Sequence, residues 1–203
     1  MQNIIPGDSE PDYPFLFRIA RTLYALLSGY RGEFFLYSLL GKLNQLERAG
    51  RFQYFSGVIY IPLRVPETLY IQDFSLFQGL REVNFAHQIN QQFDEFVLLD
   101  CGGYFGQVSM RIAALCPGLR KTLLFDPNAE NCVYSAANLK LTGHPFSVIN
   151  AAVSDFSGKA TLVFPEGPHV PDSAFIEKTE GGDIPVMRLD DVEVQRNEAL
   201  KGK

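Results

Sequence analysis

The stretch VLLDCGGYFG, residues 97–106, decides the fold of this chain. An apolar run ends in Asp100, and glycines follow at positions 102, 103 and 106. A short apolar run bounded by turn residues predicts a buried strand, and the glycines allow a sharp turn and a close backbone approach. The stretch therefore predicts a strand, a loop and a helix whose N-terminus favours an anionic group.

The same alternation continues downstream of this unit. Three predicted strands, FVLLD, KTLLFD and FSVINAAV (146–153), alternate with two predicted helices, over 107–116 and 129–141. This βαβαβ order implies parallel strands joined by right-handed crossovers. Further strands are expected at 159–164 and 184–192, with a proline-rich loop at 165–174 between them. The predicted class is α/β, a Rossmann-like parallel half-sheet plus a hairpin, with residues 96–203 as one domain.

Residues 1–95 are predicted to form an α-rich N-terminal region with a short hairpin, after a polar arm. Two stripes recur at helical spacing, and we expect both to pack into a core, with a docking or membrane-surface face as the alternative. The first contains Phe15, Ile19, Leu23, Leu26 and Leu27, and the second contains Phe35, Leu36, Leu39, Leu40, Leu43 and Leu46. Gly50 is expected to cap the second helix. Pro62 and Pro66 restrict residues 57–71 to an edge strand or a hairpin.

Composition excludes several function classes. The 203 residues include 18 basic and 23 acidic side chains, a net charge of -5, which argues against a broad nucleic-acid interface. Three cysteines without a CxxC pair favour a reduced, cytoplasmic setting. The apolar stretch at 13–28 is too short to span a bilayer. The three histidines show no metal-ligand spacing, and no Ser-His-Asp arrangement supports a hydrolase.

The spacing of acids and glycines points to one kind of ligand. The dinucleotide fingerprint GxGxxG fails because its first glycine is Cys101, which disfavours a nicotinamide-dependent oxidoreductase. Asp100, Gly102 and Gly106 instead suit a ligand whose ammonium group lies near the first strand. Asp126 ends the second strand, where a carboxylate can accept hydrogen bonds from both ribose hydroxyls. An amino-acid head, a ribose and a base together describe S-adenosylmethionine.

Three segments carry a resemblance to a known family. LLDCGGYFGQVSM, LFDPNAENCVYSAANLKL and VINAAVSDFSGKATL, followed by LDDV, resemble successive motifs of FkbM-family methyltransferases, which have the class I S-adenosylmethionine-dependent fold. The resemblance implies methylation of a hydroxyl on a sugar or small metabolite. It implies a cofactor site formed by Asp100, Gly102, Gly103, Tyr104, Gly106, Asp126, Pro127, Asn128, Ala152 and Val153. This chain has Gly103 where the family has alanine, Tyr104 where it has asparagine, and Asp126 where it has glutamate.

The resemblance ends after LDDV. The family continues there into a strand on the substrate side of the cleft, whereas this chain reads EVQRNEALKGK. We therefore expect a C-terminally incomplete catalytic domain, with a homo-oligomer covering the open edge of the first strand. The alternative function is a non-catalytic methyltransferase-like interaction module or a fragment of a longer enzyme.

Several residues keep a second interpretation. The glycines could be purely structural, and Asp126 could serve only as a helix N-terminal acid. Tyr104 could stack on the ligand or cover the loop. Glu82 could approach the cofactor's amino group, and His169 could reach a substrate. The catalytic residues, including the general base, stay unassigned.

Overall fold

The computed structural model describes residues 12–27, 33–55, 57–71, 73–74, 79–163, 175–179 and 181–192. The expected N-terminal arm, the loop at 165–174 with His169, and the side chain of Glu82 lie outside the described residues. The chain divides into two compact units, Met1–Arg81 and Glu82–Lys203. Within the described ranges, no helix combines the length and the apolar character needed to cross a membrane.

The first unit contains two helices and a hairpin. Its elements are α1 (Phe15–Leu27), α2 (Glu33–Lys42), β1 (Ala49–Tyr54), β2 (Gly57–Pro62) and a 3₁₀ turn at Pro66–Leu69. β1 and β2 pair antiparallel from Ala49–Pro62 to Tyr54–Gly57. The hairpin therefore pairs the start of the predicted 57–71 segment with a strand before it, which the sequence did not predict. Gly50 does not cap α2; it lies in β1, where a Cβ atom would come within 2.6 Å of the Leu63 side chain.

The prediction that the α1 stripe packs into a core is wrong. Phe17 and Ala20 are buried, whereas the predicted residues Phe15 and Leu26 are 72% and 74% exposed, and Ile19 and Leu23 are also exposed. The apolar side of α1 is broader than the part that packs, so periodicity could not identify the packed face. The side chain of Leu27 is outside the described set.

The α2 stripe is divided between core and surface. Leu36, Leu40 and Leu46 are buried, as predicted, whereas Phe35, Leu39 and Leu43 are exposed. α2 ends at Lys42, earlier than its stripe suggested. Leu46 therefore packs from the segment that follows the helix.

The second unit contains the predicted parallel half-sheet. Its elements are α3 (Gly79–Gln92), β3 (Phe96–Cys101), α4 (Gln107–Leu115), β4 (Leu119–Phe125), α5 (Ala129–Lys140) and β5 (Phe146–Ile149), then β6 (Ala152–Val153), β7 (Gly158–Val163), β8 (Phe175–Lys178), β9 (Ile184–Met187) and a 3₁₀ turn at Leu189–Val192. β3, β4 and β5 form a parallel sheet in the order β3-β4-β5. The remaining strands form a second sheet in the order β6-β9-β7-β8. The α/β class with a Rossmann-like half-sheet is confirmed.

The third predicted strand is two strands in different sheets. β5 ends at Ile149, and β6 pairs with β9. The strand is interrupted at Asn150, whose side-chain amide donates to the carbonyl oxygens of Asp126 at 2.9 Å and Pro127 at 3.0 Å. These bonds hold the chain at the end of β4, so it turns into the second sheet instead of continuing.

Both faces of the parallel sheet are covered. On one face, Ala86 and Ile89 of α3 and Ile112 of α4 form a buried cluster with partly buried Leu98. On the other, Leu123 and Phe125 pack with Val97, Ile149, Val153 and Met187. α3 thus belongs to the second unit, which begins earlier than the boundary expected at residue 96. β3 lies at the edge of the sheet, and none of the described strands pairs with its other side.

Candidate cofactor site

The predicted site lies at the carboxyl ends of β3 and β4. Asp100 pairs in register with Leu124, and Cys101 pairs with Phe125. Asp126 follows directly after β4, so the two acids end neighbouring parallel strands on either side of the loop at 101–106. Ligands of open α/β sheets bind at such positions.

The loop adopts the backbone that its glycines suggest. Gly102 and Gly106 have φ values of +81° and +79°, in the left-handed region that glycine enters without strain. Gly106 is the N-cap of α4. Tyr104 has φ +50°, a conformation in which asparagine is more common than tyrosine. The family's asparagine at this position would therefore suit the same backbone.

Gly103 is needed for packing inside the protein. A Cβ atom at this position would overlap the side chain of Leu124, which is fully buried in β4. The N–H groups of Gly102 and Gly103 donate to the carbonyl oxygen of Phe125 at 2.8 and 3.1 Å. Both amides are therefore used by the protein, and an alanine at position 103 would require the Leu124 side chain to shift.

Asp126 is the polar centre of the site. Its Oδ2 accepts the Tyr104 N–H at 2.8 Å, and its Oδ1 accepts the Asn128 N–H at 2.9 Å and the Asn131 side-chain amide at 3.1 Å. The residue is only 4% exposed. Burial raises the pKa of its carboxyl, and these three hydrogen bonds oppose the shift. A carboxylate has about four acceptor positions, and these donors occupy three of them.

Asp100 has a different set of partners. Its Oδ2 accepts the Ser109 hydroxyl at 2.5 Å, and its carboxyl also accepts the Ser109 backbone N–H in the first turn of α4. Burial is the main cause that raises the pKa of Asp100; the Ser109 bonds lower it, and the charge of Asp126 raises it further. The charge of Asp126 therefore lies close enough to disfavour the ionised form of Asp100.

Two residues of α5 hold the loop and were not predicted from the sequence. Ser135 donates to the Tyr104 carbonyl oxygen at 2.5 Å, and the Asn138 amide donates to the Phe105 carbonyl oxygen at 2.8 Å. Both are fully buried. With Asn131 they form a polar stripe at helical spacing on the buried face of α5. That stripe is the sequence signal that could have identified them, since buried polar side chains need partners.

The other predicted residues near Asp126 have structural partners. The Asn128 side chain is the N-cap of α5 and accepts the Glu130 N–H at 2.9 Å. Pro127 accepts from Asn150. The Cys132 thiol donates to the Asp126 carbonyl oxygen at 3.3 Å. Burial, with the charge of Asp126, raises the pKa of this thiol to about 11, so Cys132 is not a nucleophile at neutral pH.

Ala152 and Val153 belong to the second sheet. They pair in parallel register with Val186 and Met187 of β9. Ala152 is buried, and Val153 packs against Leu123 and Phe125. Their expected place beside an adenine ring stays a prediction.

No group of three or more His, Cys, Asp or Glu side chains in the described part of the chain is arranged to hold a metal ion. Comparison with family models, with curated proteins and with solved structures found no match. The functional assignment therefore depends on the site itself.

Proposed function

We propose that this chain binds S-adenosylmethionine at the loop between β3 and α4 and acts as a methyltransferase of the FkbM type in the cytoplasm. The observation that carries the proposal is the pair of acids, Asp100 and Asp126, at the ends of neighbouring parallel strands on either side of a glycine loop. Because burial raises the pKa of both carboxyls, a bound cation would favour their ionised forms. The ammonium group of S-adenosylmethionine is such a cation.

The residues fit the parts of the ligand unequally. Asp100 is half-buried, and its neighbours Cys101 and Gly102 are exposed, so a ligand ammonium could reach this carboxyl from solvent. Asp126 could accept from at most one ribose hydroxyl, not the two expected from the sequence, because three acceptor positions are occupied. Pro127 and Asn128 would border the ribose, and Ala152 and Val153 the adenine.

The chemical role of the chain would be to position reactants. Bound S-adenosylmethionine supplies an activated methyl group for transfer to a nucleophile. The acceptor would be a hydroxyl on a sugar or small metabolite, as the family resemblance implies. Transfer requires in-line approach, so orientation contributes more than acid–base chemistry. The loop is suited to holding a ligand in place, because Asp126, Ser135 and Asn138 fix it through hydrogen bonds.

One observation favours the second candidate, a non-catalytic interaction module. Asp100 accepts from Ser109 in the first turn of α4, and Asp126 accepts from Asn128 and Asn131 at the start of α5. Both acids therefore also serve as helix N-terminal acceptors. A protein that had lost the cofactor would still need them for its fold.

Isothermal titration calorimetry with S-adenosylmethionine, S-adenosylhomocysteine and NAD tests the proposal. We expect one equivalent of either of the first two ligands to bind more tightly than NAD. Asp100→Asn should weaken S-adenosylmethionine binding about tenfold or more, since charged hydrogen bonds contribute roughly 1.5–3 kcal/mol. Asp155→Asn, at an exposed acid in a turn, is the matched control. Tighter NAD binding would overturn the assignment, and no binding of any of the three would favour the non-catalytic module.

A further inference from the structure

The first unit has large apolar side chains on its surface. α1 and α2 pack against each other, and both expose such side chains: Phe15, Leu16, Ile19, Leu23 and Leu26 on α1, and Phe35 and Leu39 on α2, followed by Leu43 just after its end. Their spacing, near i, i+4 and i+8, places them along one stripe of each helix.

This stripe is additional to the packed face of α1. Phe17 and Ala20 already bury that helix against its own unit. Exposure of large apolar side chains is unfavourable by about 25 cal/mol per Å². Contiguous apolar surfaces of this kind mark interaction sites on soluble proteins. The exposed stripes of α1 and α2 therefore need a partner.

Charge identifies the chemistry of that partner. Residues 12–47 contain four basic and three acidic residues, although the whole chain has a net charge of -5. Of the basic residues, Arg21 donates to the Ile71 carbonyl oxygen within the unit. Arg18 and Lys42 are exposed on the two helices. Arg18 lies 3.6 Å from Asp12, with both side chains more than half exposed, and such a pair contributes little. The two helices thus carry the exposed cations Arg18 and Lys42 beside exposed apolar side chains, in an otherwise acidic protein.

An anionic lipid surface fits this combination better than a second copy of the chain. Two copies meeting through these faces would bring Arg18 and Lys42 of each against basic residues of the other. Anionic headgroups would neutralise the same cations, and the phenylalanine and leucine side chains would enter the boundary between headgroups and acyl chains. We propose that α1 and α2 bind flat on an anionic phospholipid membrane.

Vesicle flotation with the full chain tests this proposal. We expect the protein to float with vesicles of phosphatidylcholine and phosphatidylserine, to bind pure phosphatidylcholine more weakly, and to be released as salt is raised. The double variant Phe15→Ser/Leu26→Ser should lower partitioning at least about tenfold, because both side chains lose their insertion into the lipid. Phe175→Ser, at an exposed phenylalanine on β8, is the matched control and should bind like wild type.

Variants that lack one of the two cations distinguish the contribution of charge to vesicle binding from that of apolar insertion. Arg18→Gln and Lys42→Gln should each weaken binding to the phosphatidylserine vesicles about fivefold and leave binding to phosphatidylcholine unchanged. Lys140→Gln, at the exposed end of α5, is the control. Circular dichroism checks that each variant is folded.

Three outcomes would overturn the membrane proposal. The first is equal flotation of wild type and the Phe15/Leu26 variant. The second is absence of wild-type flotation. The third is a wild-type dimer in light scattering that the same variant converts to monomer without any vesicle binding, which would make the face a protein interface. None of these results bears on cofactor binding, because the measured residues are outside the proposed cofactor site.

Discussion

Gly103 links the loop to the core of the second unit. Its missing side chain leaves the space that Leu124 fills, and the Leu124 side chain would have to move before a Cβ atom could occupy that space. A Cβ atom at position 103 and the buried Leu124 side chain are therefore alternatives for the same volume. Close packing makes such pairs energetically dependent on each other.

A double-mutant cycle tests this dependence. Gly103→Ala alone should lower the free energy of unfolding by about 1–3 kcal/mol through overpacking. Leu124→Ala alone should lower it by about 2–5 kcal/mol through a cavity. In the Leu124→Ala background, Gly103→Ala should cost much less, because the overlapping atoms are gone. Gly181→Ala, where a Cβ atom meets open space, is the control. Additive effects in denaturant unfolding would contradict this account.

Asp126 and Asp100 should respond differently to the same isosteric change. The donors to Asp126 include two backbone N–H groups, of Tyr104 and Asn128, which cannot reverse their direction. An asparagine amide would face one of them, so Asp126→Asn should destabilise by roughly 1–3 kcal/mol. Asp100 accepts from a single backbone N–H, that of Ser109, which the retained amide oxygen of an asparagine can still accept, and the Ser109 hydroxyl can reverse and accept from the new amide. Asp100→Asn should therefore be neutral or stabilising. Equal losses in the free energy of unfolding in the two variants would contradict this difference between the hydrogen-bond donors to Asp100 and those to Asp126.

The pH dependence of stability follows from the raised pKa of Asp100. Because its folded pKa is above the unfolded value of about 3.9, the folded state binds more protons, and stability falls as pH rises from about 4 through the folded pKa. The Asp100→Asn variant does not lose stability in this way. The difference in the free energy of unfolding between the variant and wild type should therefore grow across that pH window and then become constant. Unfolding curves measured at several pH values check this. If the difference in the free energy of unfolding did not change with pH, burial would not perturb the pKa of Asp100.

At the scale of elements, β3 is the least protected part of the sheet. Its residues 97–99 are apolar on both faces, as in a central parallel strand, yet Leu99 is 37% exposed and no described strand pairs with the outer edge. A groove of about 420 Å³ lies beside it, between α3 and β3, lined by residues that include Phe85, Phe93 and Val97. Unpaired strand edges of this kind favour association with another strand.

We therefore expect self-association through the edge of β3. Sedimentation velocity should show oligomers whose amount rises with protein concentration. Leu99→Lys should reduce them, because a charged side chain on an edge strand discourages pairing. Val133→Lys, at a similarly exposed position on α5, should leave them unchanged. A concentration-independent wild-type monomer would show that the edge is covered in another way.

The elements also show where sequence patterns succeed and where they stop. β3, α4, β4 and α5 follow from buried runs and turn residues, because local sequence determines those elements. The packed face of α1 did not, since its apolar side, opposite Arg18, Arg21 and Thr22, is broader than the part that packs. The break at Asn150 depends on hydrogen bonds to the end of β4, a tertiary contact that local sequence does not report. β1 was missed because Gly50 resembles a helix cap.

At the scale of the molecule, local sequence predicted the position of the site, whereas tertiary contacts determine its hydrogen bonds. Asp100, Gly102, Gly106 and Asp126 were placed correctly at one end of the sheet, because the carboxyl ends of parallel strands meet there. Their partners were not foreseen. Ser135 and Asn138 come from the next helix, and only the packed structure brings them to the loop. The loop is consequently more firmly held, and Asp126 less open, than the spacing of glycines and acids suggested.

The most direct test of the central claim is a titration of ¹⁵N-labelled protein with S-adenosylhomocysteine, followed by NMR. The account predicts saturable shifts of the amides of Cys101, Gly102 and Tyr104 and of residues after β4, with the β1–β2 hairpin unchanged. NAD at the same concentration should produce smaller shifts. Shifts confined to other parts of the chain, or no shifts at saturating ligand, would contradict the account.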